Sequence, residues 1–277
     1  MTYELTENQI IITGKADFHP KHILECGQVF RFYINKKGNY VVNSTDKEAE
    51  IEETATGYII HTDYPAYFKD YFNLDVDYSK IKEEISKISP ILKEATQNAY
   101  GLRILKGDLF ETVVSFIISQ NNNIKRIKLI LNRLCNAVGK DMGTYHAFPT
   151  PEEFKSLDKE FFKSIGAGYR AEYLAELEPA FSLLIKEDLG VMTDIALKER
   201  LLKIKGIGPK VADCIMLFSF NRKRVFPVDV WMERVYYENF ATKKLTRPQI
   251  SAYLTNRFKD LSGYVQQYMF YLKTVKF

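Results

Sequence analysis

The stretch at residues 201–240 constrains the fold of this chain more than any other part. It reads LLKIKGIGPKVADCIMLFSFNRKRVFPVDVWMERVYYENF, and it predicts a short helix, a tight turn at residues 206–209 (GIGP) and a second helix that opens at Lys210. The two glycines of the turn permit positive φ and leave the backbone accessible, and Pro209 suits a first helical turn. The first turn of a helix has unpaired N–H groups and the positive end of the helix dipole. The sequence therefore predicts a phosphate-binding site at this hairpin.

A further helix start is predicted at Asp229. The sequence FPVD at residues 226–229 precedes another apolar-periodic segment, which makes Asp229 the expected N-cap. The intervening helix and loop can fold back and bring the amine of Lys210 to this carboxylate, a pair equipped to attack a sugar carbon and form a Schiff base. Taken singly, the lysine would be an ordinary solvated side chain and the aspartate only a cap. Their occurrence together after the hairpin glycines favours a catalytic pair.

Residues 1–75 carry short β-branched and aromatic runs that are typical of strands. The runs lie at residues 10–12, 29–34, 39–42 and 58–60, with a hairpin turn predicted at residues 36–38. Gly27 falls between the first two runs, where it either makes a turn or lets the backbone approach a ligand. The pattern indicates an antiparallel sheet with one buried face.

The apolar period changes to that of helices from Tyr78 onward. Residues 109–118 are apolar nearly all round and predict a buried central helix. The helix ends at residues 119–123 (SQNNN), whose asparagines are costly to bury and are expected at the surface or against a ligand. Further helices are predicted at 124–138, from Arg170 to about Lys186, at 247–258 and from Leu261 to about Lys273.

The segment GAGYRA at residues 166–171 is another glycine-rich helix start. It presents Tyr169, an aromatic that can part a base stack, and Arg170, a guanidinium that can contact base edges. A structural loop is the alternative. Together the patterns predict an α+β fold, with an antiparallel β domain at residues 1–77 and a helical region at residues 78–277.

Composition excludes several classes of protein. The three cysteines, Cys26, Cys135 and Cys214, are widely spaced and make neither a disulfide framework nor a zinc or iron–sulfur ligand set. We find no apolar run long enough for a membrane span and no secretory leader, and we expect a soluble intracellular protein. The short tail after Phe270 lacks a basic appendage, which favours a cytoplasmic protein of a prokaryote.

Charge is distributed unevenly along the chain. Residues 1–100 hold 11 Lys and Arg against 16 Asp and Glu, and the remainder holds 28 against 19, so the basic part contains the hairpin. Basic clusters at residues 125–133 and 222–224 could follow a phosphate backbone, or they could be ordinary solvated surfaces. The half of the chain that could contact a phosphate backbone is thus the half that contains the hairpin.

These motifs, in this order, resemble the 8-oxoguanine DNA glycosylase family of the helix-hairpin-helix (HhH-GPD) superfamily. The resemblance is carried by YFNLDVDYSKI, GLRILKGDLFETVVSFIISQNNNIKRI, GAGYRA, the hairpin, PVDV and GYVQQYMF, which together span nearly the whole chain. It implies a β domain followed by two helical lobes, with DNA across the cleft between them and the damaged purine turned out into a pocket. The endonuclease III branch, which typically carries four clustered cysteines, is disfavoured.

The resemblance also implies a role for each matching residue. Lys210 would be the nucleophile and Asp229 the catalytic carboxylate. The flipped base would lie between Cys214 and Phe270, with Gln266 on its Watson–Crick edge and the Gly27 carbonyl facing the N7 hydrogen that guanine lacks. Residues assigned to DNA and the opposite base are Asn121, Arg126, Tyr169, Arg170, Gly206, Gly208 and Trp231.

At Trp231 the chain departs from the many relatives that have a histidine near a phosphate, and indole has only one donor. The family often binds a monovalent or calcium ion through hairpin carbonyls, which here would be those of Leu202, Ile204 and Ile207. No cofactor is expected to be required. The resemblance implies a monomeric glycosylase that excises 8-oxoguanine opposite cytosine and cleaves the strand.

Two other interpretations remain open from sequence. The same fold could act on alkylated or other damaged purines, with Lys210 contributing only to binding. Alternatively, the hairpin could belong to a non-catalytic module that binds DNA phosphates. Only the catalytic interpretations explain why a lysine and an aspartate would converge on one pocket.

Overall fold

An antiparallel sheet and its covering helices form the N-terminal part of the protein. The computed structural model describes residues 1–241 and 243–276, the last three of these by backbone alone. Within these ranges the sheet contains β1 (Thr2–Leu5), β2 (Gln9–Thr13), β3 (Phe32–Ile34), β4 (Tyr40–Ser44), β5 (Lys47–Glu53) and β6 (Gly57–His61), in the order β1-β2-β6-β5-β4-β3. Every neighbouring pair is antiparallel.

Alternation along the strands gives the sheet one apolar face. Ile10 pairs with Ile60, and Ile60 also pairs with Ile51 on the other side, so their side chains lie in one buried row. This row packs against aromatic side chains that include Phe18 and Phe68. The predicted antiparallel sheet with one buried face is confirmed.

Helices make up most of the remaining chain. Their bounds are α1 (Pro20–Leu24), α2 (Pro65–Tyr71), α3 (Tyr78–Ser86), α4 (Pro90–Asn98), α5 (Leu109–Ser119), α6 (Ile124–Val138), α7 (Pro151–Phe154), α8 (Lys159–Ser164), α9 (Ala171–Ala175), α10 (Leu177–Leu184), α11 (Asp194–Leu202), α12 (Pro209–Phe218), α13 (Val230–Asn239), α14 (Arg247–Phe258) and α15 (Ser262–Lys276). No helix in the described ranges combines the length and the apolar character needed to cross a membrane.

The helices group into two lobes over one continuous apolar core. In one lobe α5 packs against α6, α9 and α12, while in the other α15 packs against α4, α13 and α14. The predicted buried helix is α5, whose residues from Phe110 to Ile118 are all buried. The α+β fold with a β domain and two helical lobes is therefore confirmed.

Two details differ from the sequence prediction. The run at residues 29–34 is strand only at Phe32–Ile34, because Phe30 turns away from the sheet and packs on Phe116 in the helical core. The helix predicted from Arg170 to Lys186 is a 3₁₀ turn followed by the separate helices α9 and α10. Pro179 explains that break, since it has no N–H to donate to the Ala175 carbonyl.

Candidate active site

The hairpin at residues 203–208 joins α11 to α12 and depends on one glycine. Gly206 has φ of +90°, and a Cβ built there would lie 2.7 Å from the ring of Tyr173. Gly208 is different, because it caps α12 with an ordinary φ of −91° and its Cβ would meet no atom within 4 Å. Pro209 is the first residue of α12, and no side chain caps this helix start, so its first N–H groups remain available to an anion.

Lys210 and Asp229 line the same cleft, as the sequence predicted. The cleft has a volume of about 700 Å³, and its walls include Gly27, Trp231 and Phe270. Lys210 follows Pro209 on the first turn of α12, with its ammonium 5.1 Å from the centroid of the Phe116 ring. A nucleophilic amine and a carboxylate are therefore available to one substrate.

Asp229 both caps a helix and lines the cleft. It is the N-cap of α13, and Oδ1 accepts the Met232 N–H at 2.9 Å. This hydrogen bond fixes the carboxylate at the edge of the cleft. The predicted helix start is thus confirmed, while the catalytic role of the carboxylate stays a prediction.

Of the four residues assigned to the base pocket, two line the open cleft and two are buried. Gly27 lies directly against the Phe270 ring, since a Cβ built on Gly27 would be 3.2 Å from its Cε1 atom. Cys214 and Gln266 are 3% and 4% exposed and do not line the open cleft. They lie one helical turn after Lys210 and one turn before Phe270, respectively.

Cys214 is a protonated thiol in this environment. Burial raises its pKa to about 11, and the nearby Lys210 ammonium opposes only part of that effect. The side chain can therefore pack against a base or donate a weak hydrogen bond, but it is not a thiolate nucleophile at neutral pH.

The turn after α5 is an exposed element beside the cleft. Asn121 has φ of +47°, in the left-handed region that asparagine tolerates. Tyr169 is 55% exposed, and its hydroxyl donates to the carbonyl of Gln120 at 3.2 Å. The two side chains assigned to part the base stack are therefore neighbours.

The two arginines assigned to the orphaned base are in unlike environments. Arg126 is exposed and donates to the Gly166 carbonyl at 3.2 Å. Arg170 is only 4% exposed, and its guanidinium donates to the carbonyls of Gln120, Asn121 and Ala167. Without DNA, Arg170 holds the turn after α5, and it would have to give up these bonds to read a base.

Trp231 stands at the mouth of the cleft. Its indole is 47% exposed, and the Arg234 guanidinium lies 5.0 Å from its ring. A flat aromatic surface next to a cation can contact a nucleotide by stacking as well as by charge.

The hairpin carbonyls fit an ion only in part. The Ile204 carbonyl already accepts the Ile207 N–H at 3.0 Å, and the Gly206 carbonyl accepts Nε2 of Gln120 at 2.8 Å. The turn is thus held by hydrogen bonds of its own, although a carbonyl oxygen has a second lone pair for a cation. Side chains do not supply an alternative, since the described residues contain no cluster of three or more His, Cys, Asp or Glu suited to a metal.

Sequence reasoning missed Gln120. Its side chain bonds the hairpin at Gly206, while its carbonyl accepts Tyr169 and Arg170, so one residue ties together three segments assigned to DNA. Its position in the polar run SQNNN was the available signal. Lys125 and Lys273 were also missed as lining residues of the cleft, and Lys273 pairs with Glu238 at 3.0 Å.

Comparison with known proteins identifies the class. A family model described as HhH-GPD superfamily base excision DNA repair protein matches residues 114–260. The chain belongs to this superfamily. Within it, residues 10–113 match the model of the 8-oxoguanine DNA glycosylase N-terminal domain, which confirms the resemblance seen in the motifs.

Individual relatives agree with this placement. The N-glycosylase/DNA lyase of Saccharomyces cerevisiae is 31% identical over 267 residues, covering 80% of this chain and 68% of that protein. A probable N-glycosylase/DNA lyase of Methanothermobacter thermautotrophicus is 30% identical, covering 65% of each chain. The chain thus spans about two thirds of the length of these relatives.

A solved structure matches over the full length. The Clostridium acetobutylicum 8-oxoguanine glycosylase/lyase, in complex with double-stranded DNA containing cytosine opposite 8-oxoguanine, is 32% identical with a TM-score of 0.92. The match covers all of this chain and 98% of that one.

Proposed function

We propose that this protein is a bifunctional DNA glycosylase that excises 8-oxoguanine, opposite cytosine, and then cleaves the DNA strand. The observation that carries the proposal is the cleft in which Lys210 and Asp229 face Gly27 and Phe270. A lysine amine, a carboxylate and an aromatic ring that line one cleft support a reaction at a single nucleotide. A non-catalytic binding module would have no use for this arrangement.

Recognition begins with flipping of the damaged nucleotide. Unpairing and unstacking cost a few kcal/mol, which stacking on Phe270 offsets by roughly 1–3 kcal/mol. Asn121 and Tyr169 fill the gap left in the duplex. Arg126 contacts the orphaned cytosine first because it is exposed. Arg170 contacts the cytosine only after its guanidinium has broken its hydrogen bonds to the Gln120 and Asn121 carbonyls.

Selection of 8-oxoguanine rests on one hydrogen. The lesion carries N7–H, which the Gly27 carbonyl accepts, whereas guanine would bring a lone pair against that carbonyl. An unpaired acceptor of this kind costs on the order of 1–3 kcal/mol. Gln266 donates to and accepts from the Watson–Crick edge once Cys214 and Phe270 have opened around the base.

Lys210 then carries the covalent chemistry. A bond forms between its Nζ and C1′ while the C1′–N9 bond breaks, and the departing purine takes up a proton. The sugar ring opens to a Schiff base, which acidifies the 2′ hydrogens, and loss of one of them expels the 3′ phosphate by β-elimination. Asp229 stabilises the cationic sugar and transfers protons.

Four further attributes are proposed from the sequence. We propose that the hairpin carbonyls of Leu202, Ile204 and Ile207 accept a monovalent or calcium ion when DNA is bound, and that the reaction itself requires no cofactor. We further propose a monomer acting in the cytoplasm. The Ile204 carbonyl already accepts the Ile207 N–H, and its second lone pair is the one that such an ion would use.

The test is a substrate panel with the wild-type protein. Duplexes containing 8-oxoguanine, 3-methyladenine or guanine at one position are incubated in parallel, and base release is measured separately from direct strand cleavage. We expect release and cleavage with 8-oxoguanine opposite cytosine and slower reaction with other opposite bases. Release of 3-methyladenine alone, or release without cleavage, would overturn the proposal.

A further inference from the structure

The side-chain amide of Gln28, the residue after Gly27, is buried and hydrogen-bonded through both its nitrogen and its oxygen. The residue is 6% exposed. Its Nε2 donates to the carbonyls of Ile23 and Arg103, each at 2.8 Å, and its Oε1 accepts the Leu105 N–H at 2.9 Å. This buried side chain thus makes three hydrogen bonds to two other segments.

Both of those segments are held independently of Gln28. Ile23 lies in α1, and residues 103–105 form an extended stretch between α4 and α5. The Ile104 N–H donates to the Tyr78 hydroxyl at 2.7 Å, and the Ile104 carbonyl accepts Nδ2 of Asn73 at 2.7 Å. Gln28 therefore attaches the Gly27 loop to a fixed part of the helical region.

Gly27 is restrained from its other side as well. The thiol of Cys26, which is fully buried, donates to the same Ile23 carbonyl at 3.1 Å. The Gly27 peptide therefore lies between two anchored neighbours, with φ of +75° and its Cα facing the Phe270 ring. Glycine alone is flexible at such a φ, so the direction of its carbonyl has to be set by the neighbours.

We infer that Gln28 is a positioning residue for lesion selection, aiming the Gly27 carbonyl at N7 of the flipped purine. This inference rests on the proposed function and extends it to a residue that does not touch the base. A hydrogen bond to N7–H separates the two purines only if the carbonyl is held in line. Loss of the anchor should therefore reduce the preference for 8-oxoguanine more than it reduces DNA binding.

The chemistry of this position admits few substitutes. The site needs two donors and one acceptor in one plane, which an amide provides. Methionine has the length of glutamine without these groups, so the Leu105 N–H and the Arg103 carbonyl would lose this partner, and the Ile23 carbonyl would keep only the Cys26 thiol. Glutamate keeps the shape but, when ionised, cannot donate to either carbonyl.

The experiment compares Gln28→Met and Gln28→Glu with Tyr78→Phe as a matched control. The control removes a hydrogen bond to the same extended stretch, at Ile104, without touching the Gly27 loop. In a Lys210→Gln background, which prevents turnover, Kd is measured for duplexes containing 8-oxoguanine or guanine. In proteins that keep Lys210, base excision is compared with cleavage of a preformed abasic site, which has no base to recognise.

We expect each Gln28 variant to lower the ratio of guanine Kd to 8-oxoguanine Kd roughly tenfold, and to lower excision relative to abasic-site cleavage by a similar factor. Tyr78→Phe should reduce thermal stability and leave both ratios unchanged. Should Gln28→Met not fold, Gln28→Glu alone provides the measurement.

Equal loss of excision and abasic-site cleavage in the Gln28 variants would assign Gln28 a purely structural role and overturn the inference. The same conclusion would follow if Tyr78→Phe lowered the two ratios as much. If the wild type prefers 8-oxoguanine and the Gln28 variants keep the wild-type values of both ratios, the inference is contradicted but the proposed function is not. Wild-type protein that excises no 8-oxoguanine contradicts the proposed function, and the inference with it.

Discussion

Asp229 caps a helix and, under the proposed function, also takes part in the reaction. As N-cap it accepts the Met232 N–H, and its carboxylate lines the cleft in which the proposed reaction forms a cationic sugar. The two functions are separable by chemistry, because asparagine caps a helix as well as aspartate does but carries no charge.

Asp229→Asn is therefore expected to fold normally and to lose activity. Without the charge that stabilises the sugar cation, base release in a single turnover should slow by roughly a factor of 10² to 10³. Unfolding midpoints and release of 8-oxoguanine are measured together.

The matched control is Asp158→Asn, which alters another N-cap, where Oδ1 accepts the Phe161 N–H at 2.7 Å. That variant should excise the base at the wild-type rate. Wild-type excision by Asp229→Asn would remove the carboxylate from the mechanism.

Among the elements, helices were predicted better from sequence than strands. The helices α6 and α14 begin and end where their periodicity and caps indicate, because Asn123, Thr246 and Gly139 mark their ends locally. By contrast β5 (KEAEIEE) was missed, since its charged residues alternate with only two buried ones and its pairing partners lie elsewhere in the chain. Strand pairing depends on long-range contacts, which a local pattern does not contain.

In the candidate site, too, the features marked by local sequence could be predicted and those that depend on distant residues could not. The hairpin, Lys210 and Asp229 were predictable because each is marked by a helix start in the local sequence. The hydrogen bonds of Gln28 and Gln120 could not be predicted in this way. Arg103, a partner of Gln28, is 75 residues away in the sequence, and Gly206, a partner of Gln120, is 86 residues away. A polar side chain reveals such a partner only when the chain has folded.

The helices that carry the hairpin are joined by a buried charge. Asp213 on α12 is 2% exposed, and it pairs with Lys198 on α11 at 2.6 Å while accepting the Ser251 hydroxyl of α14 at 3.1 Å. Burial nevertheless raises the pKa of this carboxyl, which shows that the ion pair only partly offsets the loss of water.

Lys198→Met should lower the free energy of unfolding by about 3 kcal/mol, because it leaves Asp213 buried without its partner. The pKa of the carboxyl then rises further. Above about pH 4 the unfolded chain loses the carboxyl proton more readily than the folded protein does. The loss of unfolding free energy in Lys198→Met, relative to the wild type, should therefore grow as the pH rises.

Urea unfolding of this variant at pH 5 and pH 8 tests the prediction. Lys87→Met, which breaks an exposed pair with Glu83, is the control and should cost less than about 1 kcal/mol. A Lys198→Met deficit as small as that of the control, or one that shrinks with rising pH, would contradict it.

At the scale of the whole molecule, the β domain and the helical lobes are joined through buried polar groups. Arg103 is fully buried and donates to the carbonyls of Phe72, Asp17 and Val76. His22 accepts the Gly101 N–H at 3.2 Å on Nδ1. The Gly27 loop lies at this junction, so the site depends on how the two parts are held together.

His22 makes that junction sensitive to acid. Burial lowers its pKa from 6.5 to about 4, so the folded protein keeps the ring neutral while the unfolded chain takes up a proton. Because the unfolded state binds more protons, stability should fall as the pH drops from about 6.5 to about 4. His22→Gln, which can still accept the Gly101 N–H, should show a smaller decrease over this range.

Urea unfolding of both proteins at pH 7.5 and 4.5 measures the difference. Identical pH slopes would show that His22 does not contribute.

The step on which the proposed reaction depends is the formation of a covalent bond between Lys210 and the lesion sugar. It is tested by borohydride trapping with an end-labelled duplex containing 8-oxoguanine opposite cytosine, comparing the wild type with Lys210→Gln. We expect a covalent protein–DNA adduct with the wild type only, while Lys210→Gln binds the duplex without releasing base. An adduct of equal yield with Lys210→Gln, or none with a wild type that releases the base, would contradict the account.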